Sequence, residues 1–526
     1  MKNVRFLAAA AILIPMLGSS PGIGAQLAAM EQAPSASTWP TIADTAKAGP
    51  HRFERAHEGT FNGRLIRYRS VLEETILSDP KGTPASSMYS TSFIVRGGLA
   101  SARRPVIFVF NGGPGGASNM LMFGAFGPKR IADMSTAGMA NPSVAIIDNA
   151  YAPLDVADIV IVDAPETGFG RPLDGTDPKI FRSIDGDSYA VGQFILHWLS
   201  SNGRQGSPVY LAGESYGGHR AVALARDLRV ATPKVEVAGL ILISQALGYN
   251  GPTATGTIPR LPDALRGIGR IQDAAGIAWY HGKIDNRSQT LPQAIERAGK
   301  FARTEYANAL LLGNRLDDAT RRRVATRLAE LTGIPAEIYL ANGLRLPNVR
   351  TEMFRAEGRN LDQFDGRETE PAATAKPDRD RDWDAVTAGL TSAMERYAAS
   401  DLGASGLPKY RTVVPDPYGF EDSWGYLKPP SPGLDLVLSQ QLRAQPHMRV
   451  MVPMGVFDTT SSVGSAQLLF AQMDAPAGQV TLAYYPGGHA LYTSLDGLEA
   501  FNRDVRAFVT GKDPVSTQIP DIKPKL

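Results

Sequence analysis

The chain of 526 residues contains no cysteine. That single absence excludes disulfides, a thiol nucleophile and cysteine metal ligands together. An excess of charge is also missing. Lys and Arg number 54 against 52 Asp and Glu, leaving a formal net charge of +2 and no long basic run. No strong field draws such a chain to nucleic acid or to an anionic bilayer, so neither is an expected partner. Beyond the N-terminus, no apolar run approaches the ~20 residues that span a membrane, so stable membrane insertion is not expected. What remains is ordinary globular composition, 43% hydrophobic and 20% charged, with length enough for a large core carrying a sizeable insertion.

The first residues carry a basic start at Lys2 and Arg5, an apolar stretch over 6–17 and small residues ending at Gly24-Ala25. This pattern predicts a signal peptide over 1–25, cleaved near Ala25; an uncleaved anchor is the alternative. A cysteine-free exported protein suits the periplasm or secretion. Residues 26–58, rich in Ala, Ser, Thr and Pro, are expected to form a poorly ordered arm. Alternation over 60–69 and 89–95 predicts antiparallel strands. Four short apolar runs follow, at 105–110, 158–162, 209–212 and 240–243, each continuous rather than alternating. That is the mark of parallel strands covered on both faces. Helical periodicity over 187–200, between two of them, gives a doubly wound, mostly parallel α/β sheet. After about 255 the pattern turns helical, most clearly over 290–335, and residues 365–382 read as an exposed charged loop. Buried-strand character returns at 448–454 and 480–485. The expected organisation is a core over 59–254, a helical cap insertion over 255–430 and the rest of the core over 431–526.

Three segments join into one chemistry. Gly213-Glu214-Ser215-Tyr216-Gly217 places a serine between a strand and a helix, the turn that lifts a nucleophile off the top of a sheet. Asn111-Gly112-Gly113-Pro114-Gly115-Gly116 follows a strand, where glycine lets backbone N–H groups reach a developing negative charge. The backbone N–H groups of Gly113 and Tyr216 are the expected oxyanion donors. A phosphate-binding loop is the competing reading, but neither of the usual phosphate-loop patterns is present. His489, after a strand and two glycines, is the expected base, with His219 its competitor. Asp458 is the expected acid and Asp474 the alternative. The order Ser, Asp, His is that of the α/β-hydrolase fold. Glu214, next to the nucleophile, is partly desolvated; protonated, it would donate to a substrate carboxylate together with Asn111. Bracing of the turn is its simpler role. This chemistry calls for no cofactor and no metal.

These segments resemble the serine carboxypeptidase family. Asn111 to Ser118 meets the pattern N-G-G-P-G-x-[SA]-S, Gly213 to Gly218 meets G-E-S-Y-[GA]-G, and Gly488-His489 meets a late G-H. Residues 162–170 resemble the family's V-D-x-P strand end. Phe364-Asp365-Gly366-Arg367 and the segment around Asp458 are similar to bacterial members. The resemblance implies removal of C-terminal residues from peptides, with Ser215, Asp458 and His489 as triad. It also implies that Asn111, Gly112 and Glu214 recognise the free C-terminal carboxylate. Two departures stand out. Gly116 stands where the family commonly has Cys. Ala125 stands where many members carry a Glu that partners the recognition acid. An esterase or acyltransferase of the same fold is the first rival expectation, and a non-catalytic binding protein the second.

Overall fold

The computed structural model describes residues 39–96, 103–247, 261–372, 381–415 and 433–525. The expected signal peptide and the first part of the expected arm lie outside these. The rest of the arm is not loose. Strand β1 (Lys47–Phe61) turns through Asn62-Gly63, both at positive φ, into β2 (Arg64–Ser78). The hairpin turn therefore falls inside the alternating stretch 60–69, which is split between two strands rather than forming one. Asn-Gly suits the φ > 0 pair that a tight hairpin needs, and it overrides the local alternation. β2 pairs antiparallel with β3 (Pro84–Val95).

Six parallel strands continue the sheet: β4 (Val106–Phe110), β5 (Asp158–Val162), β6 (Val209–Glu214), β7 (Val237–Ile243), β8 (Arg449–Gly455) and β9 (Val480–Tyr485). The sheet order is β1-β2-β3-β5-β4-β6-β7-β8-β9. Each central strand is buried on both faces, and successive side chains alternate between two cores. Val106, Phe108 and Phe110 enter one, and Ile107 and Val109 the other.

The first core holds α1 (Ile184–Ser201) and α2 (Tyr216–Leu228). It runs on into insertion helices α3 (Leu261–Tyr280), α4 (Leu291–Phe301) and α5 (Asp318–Thr332). The second core takes α6 (Arg381–Ser400) on the far face. After the insertion come α7 (Leu434–Ala444) and α8 (Val463–Gln472), and α9 (Leu495–Val509) closes the second core. The chain is thus an α/β-hydrolase fold with a helical insertion. Among the described residues no helix is long and apolar enough to cross a membrane.

Candidate active site

Asn111, Ser215, Asp458 and His489 each sit just past the C-terminal end of a parallel strand, where open α/β sheets form their ligand crevice. Asn111 follows β4, Ser215 follows β6, Asp458 lies three residues past β8, and His489 four past β9.

Ser215 has φ 57 and ψ −122, a conformation costing roughly 1–3 kcal/mol for a non-glycine residue. Neighbours hold it there. Its N–H donates to the Ile243 carbonyl at 2.9 Å and its carbonyl accepts from Gly218 N–H at 2.9 Å. A Cβ at Gly213 would lie 2.0 Å from the Gly217 carbonyl oxygen, so only glycine permits the turn to close.

The glycine loop presses directly on this turn. A Cβ at Gly112 would meet the Tyr216 nitrogen at 2.7 Å and Ser215 Cβ at 2.9 Å. Gly113, at φ 114, follows immediately in the chain. The loop is anchored from below. Arg220 donates from Nη1 to the Asn111 carbonyl at 2.9 Å and from Nε to Asp187 Oδ2 at 2.7 Å. Its guanidinium stacks over the Tyr216 and Phe110 rings. Asp187 and Arg220 are wholly buried, and sequence reasoning missed them; the only signal was a charge at an inward helical position on α1 and on α2. Asp163, after β5, accepts from Ser118 N–H at 2.8 Å and from the Tyr410 hydroxyl at 3.1 Å, and so fixes the loop's other end. Burial raises its carboxyl to about 6.

Asp458 and His489 meet. Asp458 Oδ2 lies 2.8 Å from His489 Nδ1, and Oδ1 accepts from the backbone N–H groups of Thr460 (2.7 Å) and Ser461 (2.8 Å). Burial pulls the His489 pKa down, but the Asp458 carboxylate, helped by Glu214, outweighs it and the net shift is upward. The alternatives lie elsewhere. Asp474 is exposed and pairs with Arg443 at 2.6 Å. His219 is buried inside α2 with its ring stacked on Tyr216, and burial pushes it down to about 4.

Glu214 is buried at the strand end, and burial raises its pKa. Its Oε1 accepts from Asn111 Nδ2 at 2.9 Å, while Asn111 Oδ1 accepts from Leu121 N–H at 3.0 Å. Its Oε2 accepts from the Tyr492 hydroxyl at 2.5 Å. Tyr492 was not foreseen from the sequence, although it stands three residues after His489. Ala125 contributes only its carbonyl, which accepts from Asn149 and Asn502.

The segment read as an exposed loop over 365–382 is corrected in its first residues; residues 373–380 lie outside the described ones. The Phe364 carbonyl accepts the His489 N–H at 2.7 Å, and the Phe364 ring lies 5.7 Å from the imidazole. Gly366 N–H donates to the Phe457 carbonyl at 2.8 Å, and Arg367 Nη1 to the Pro486 carbonyl at 2.8 Å. Charge and proline content suggested solvent, but Asp365 and Arg367 neutralise each other and leave the backbone to make these contacts.

Asn111, Gly112, Gly113, Glu214, Ser215, Asp458 and His489 all line one cavity of about 2590 Å³. That is well beyond the ~300–1,000 Å³ usual for a small ligand.

With this geometry in hand, comparisons with known proteins locate the chain. Residues 93–255 match the family model of the serine carboxypeptidases. This segment belongs to the serine carboxypeptidase family. It carries Asn111, Gly112, Gly113, Glu214, Ser215 and Tyr216, while Asp458 and His489 lie outside it. Among solved structures, a prohormone-processing carboxypeptidase of Saccharomyces cerevisiae, Kex1ΔP, superposes with a TM-score of 0.51 at 11% identity, over 89% of this chain and 93% of that one. At that identity the likeness shows the fold alone. A proline iminopeptidase of Mycobacterium smegmatis (13% identity, 81% and 95% covered, TM-score 0.33) and a thermophilic esterase of Thermogutta terrifontis (13%, 83% and 98%, 0.31) superpose too loosely to carry an argument. No curated protein sequence matches the chain.

Proposed function

We propose that the protein is an exported serine-type carboxypeptidase that releases C-terminal residues from peptides. The observation that carries this reading is the Asn111–Glu214 hydrogen bond at the foot of the nucleophile, in the cavity that also holds the Asp458–His489 pair. An amide donor and a carboxyl group raised by burial make a site for a carboxylate that arrives when Glu214 is protonated.

The mechanism follows from the roles available. His489 takes the Ser215 proton through Nε2 as Ser215 Oγ attacks the terminal peptide carbonyl. The oxyanion is met by the N–H groups of Gly113 and Tyr216, each worth about 3 kcal/mol in the barrier. His489 gives its proton to the departing amino acid as the C–N bond breaks. Water, deprotonated by His489, then opens the acyl-enzyme, and Ser215 recovers its proton. The substrate is a peptide with a free C-terminus. The basic and apolar start of the sequence supports export to the periplasm or beyond.

One observation favours an esterase or acyltransferase instead: both Glu214 oxygens already receive protein donors. The deciding experiment compares hydrolysis of an N-blocked dipeptide with that of its C-terminal amide, by wild type and Ser215→Ala. Strong preference for the free acid, lost in the variant, supports the carboxypeptidase. Equal or ester-only turnover that still needs Ser215 supports the rival. A fluorophosphonate probe that fails to label Ser215 would remove both.

A further inference from the structure

The Glu214 carboxyl group has two side-chain partners, and they are not equivalent. Asn111 offers an amide N–H, which only donates. Tyr492 offers a hydroxyl, which both donates and accepts. When Glu214 is ionised it takes both donors as they stand, at 2.9 and 2.5 Å. When Glu214 is protonated it has a proton to place, and of these two neighbours only the Tyr492 oxygen accepts it. An incoming carboxylate competes with the Tyr492 oxygen for that proton.

Tyr492 is held for this task. Its side chain is buried, and its ring occupies the space beside Gly124, where a Cβ would come within 2.3 Å of the ring. Asn111 and Tyr492 thus meet at one carboxyl group, one on each oxygen. Two charged groups face Glu214, namely His489, which favours its ionised form, and Asp458, which opposes it. The Arg220–Asp187 pair lies behind, at the Asn111 carbonyl. Tyr492 and His489 are three residues apart on one loop, so a single segment delivers the base and the Glu214 partner.

We propose that Tyr492 is the specificity-setting partner of Glu214, whose hydroxyl decides the pH range over which Glu214 and Asn111 receive a peptide's free carboxylate. The proposal rests on the carboxypeptidase reading above. Tyr492 acts through Glu214 and is a positioning residue. Its removal has a definite sign. A donor to a carboxylate stabilises the ionised form more than an acceptor stabilises the neutral one. Tyr492→Phe therefore favours protonated Glu214, and preference for free acids persists to higher pH.

The experiment measures kcat/KM for an N-blocked dipeptide and for its amide from about pH 4 to pH 9, and takes their ratio, so that a smaller folded fraction cancels. Wild type, Tyr492→Phe, Glu214→Gln and the double variant are compared. We expect the wild-type ratio to fall as pH rises and its midpoint to move up by about one to two pH units in Tyr492→Phe. In the Glu214→Gln background the Tyr492 change should move nothing. Carbon-13 titration of the Glu214 carboxyl gives the same shift without turnover. A midpoint that stays put or moves down, or a shift that survives in the Glu214→Gln background, overturns the role of Tyr492 and leaves the carboxypeptidase reading standing. A wild type with no preference for the free acid at any pH overturns that reading, and this inference with it.

Discussion

Asp458→Asn tests the acid–base pair most sharply, because the structure dictates which way the new amide must point. Asp458 Oδ1 accepts two backbone N–H groups, at 2.7 and 2.8 Å. The asparagine oxygen has to take that position, since an NH2 there would face two donors. The NH2 is then left 2.8 Å from His489 Nδ1. It can only donate, so Nδ1 has to accept and the imidazole proton moves to Nε2. In that tautomer Nε2 cannot take the serine proton. Loss of the charge alone removes a charged hydrogen bond worth about 1.5–3 kcal/mol, or roughly 10- to 200-fold in rate. The wrong tautomer adds to it, and the corresponding change in a known triad drops kcat by ~10⁴. We expect a fall of about that size in kcat on an activated ester, with KM little changed. The pH dependence has a definite sign. In wild type the Asp458 charge holds the His489 pKa up against burial. The base works only when neutral, so activity appears as pH rises through that raised value. In Asp458→Asn burial is unopposed by this charge, and the acid limb of the residual activity moves to lower pH. A loss under tenfold, or an acid limb that stays in place, would refute the pairing of these residues.

Three further outcomes are expected. Arg220→Met leaves Asp187 buried without its partner and should cost about 3–5 kcal/mol in urea unfolding. Burial already raises Asp187, so the deficit should shrink as pH falls and the carboxyl protonates; a deficit constant with pH would contradict this. Phe364→Ala removes the ring beside the imidazole but keeps the backbone contact, and should lower kcat by up to about 100-fold with KM near wild type. A change in KM alone would instead make Phe364 a substrate contact. His219→Gln should leave the pH profile of kcat unmoved, because His219 is buried and neutral above about pH 4; a shifted acid limb would reopen its candidacy as base.

The parts legible in the sequence were those with local physics. Continuous apolar runs announced the buried strands, and glycine at fixed spacing announced a turn that a Cβ would block, as Gly213 and Gly112 show. What could not be read was set by distant partners. The run 47–58 looked like an arm because its exposed edge-strand face is polar, and only its pairing with β2 makes it a strand. Asp365 and Arg367 looked solvent-bound because the Pro486 carbonyl that Arg367 meets lies 119 positions away in the chain. Nothing in the local sequence marks Tyr492. Its role is visible only when Glu214, 278 positions away in sequence, is seen at its hydroxyl.

These long-range contacts bear on what the insertion is for. The family segment carries the proposed nucleophile, the proposed oxyanion loop and Glu214, all before the insertion begins. The proposed acid and base come after it, past the ends of β8 and β9, and the insertion itself grips both of their loops. Phe364 and Arg367 take up the His489 N–H and the Pro486 carbonyl, and Gly366 the Phe457 carbonyl next to Asp458. Each of these groups, left buried and unpaired, would cost about 1–3 kcal/mol. Three such costs are comparable with the whole stability of an ordinary domain, roughly 5–15 kcal/mol. The insertion is therefore a brace for the proton-transfer half of the site as well as a wall of the cavity. Excising it would strip the first core of the insertion helices it shares and leave the Asp458 and His489 loops without these contacts.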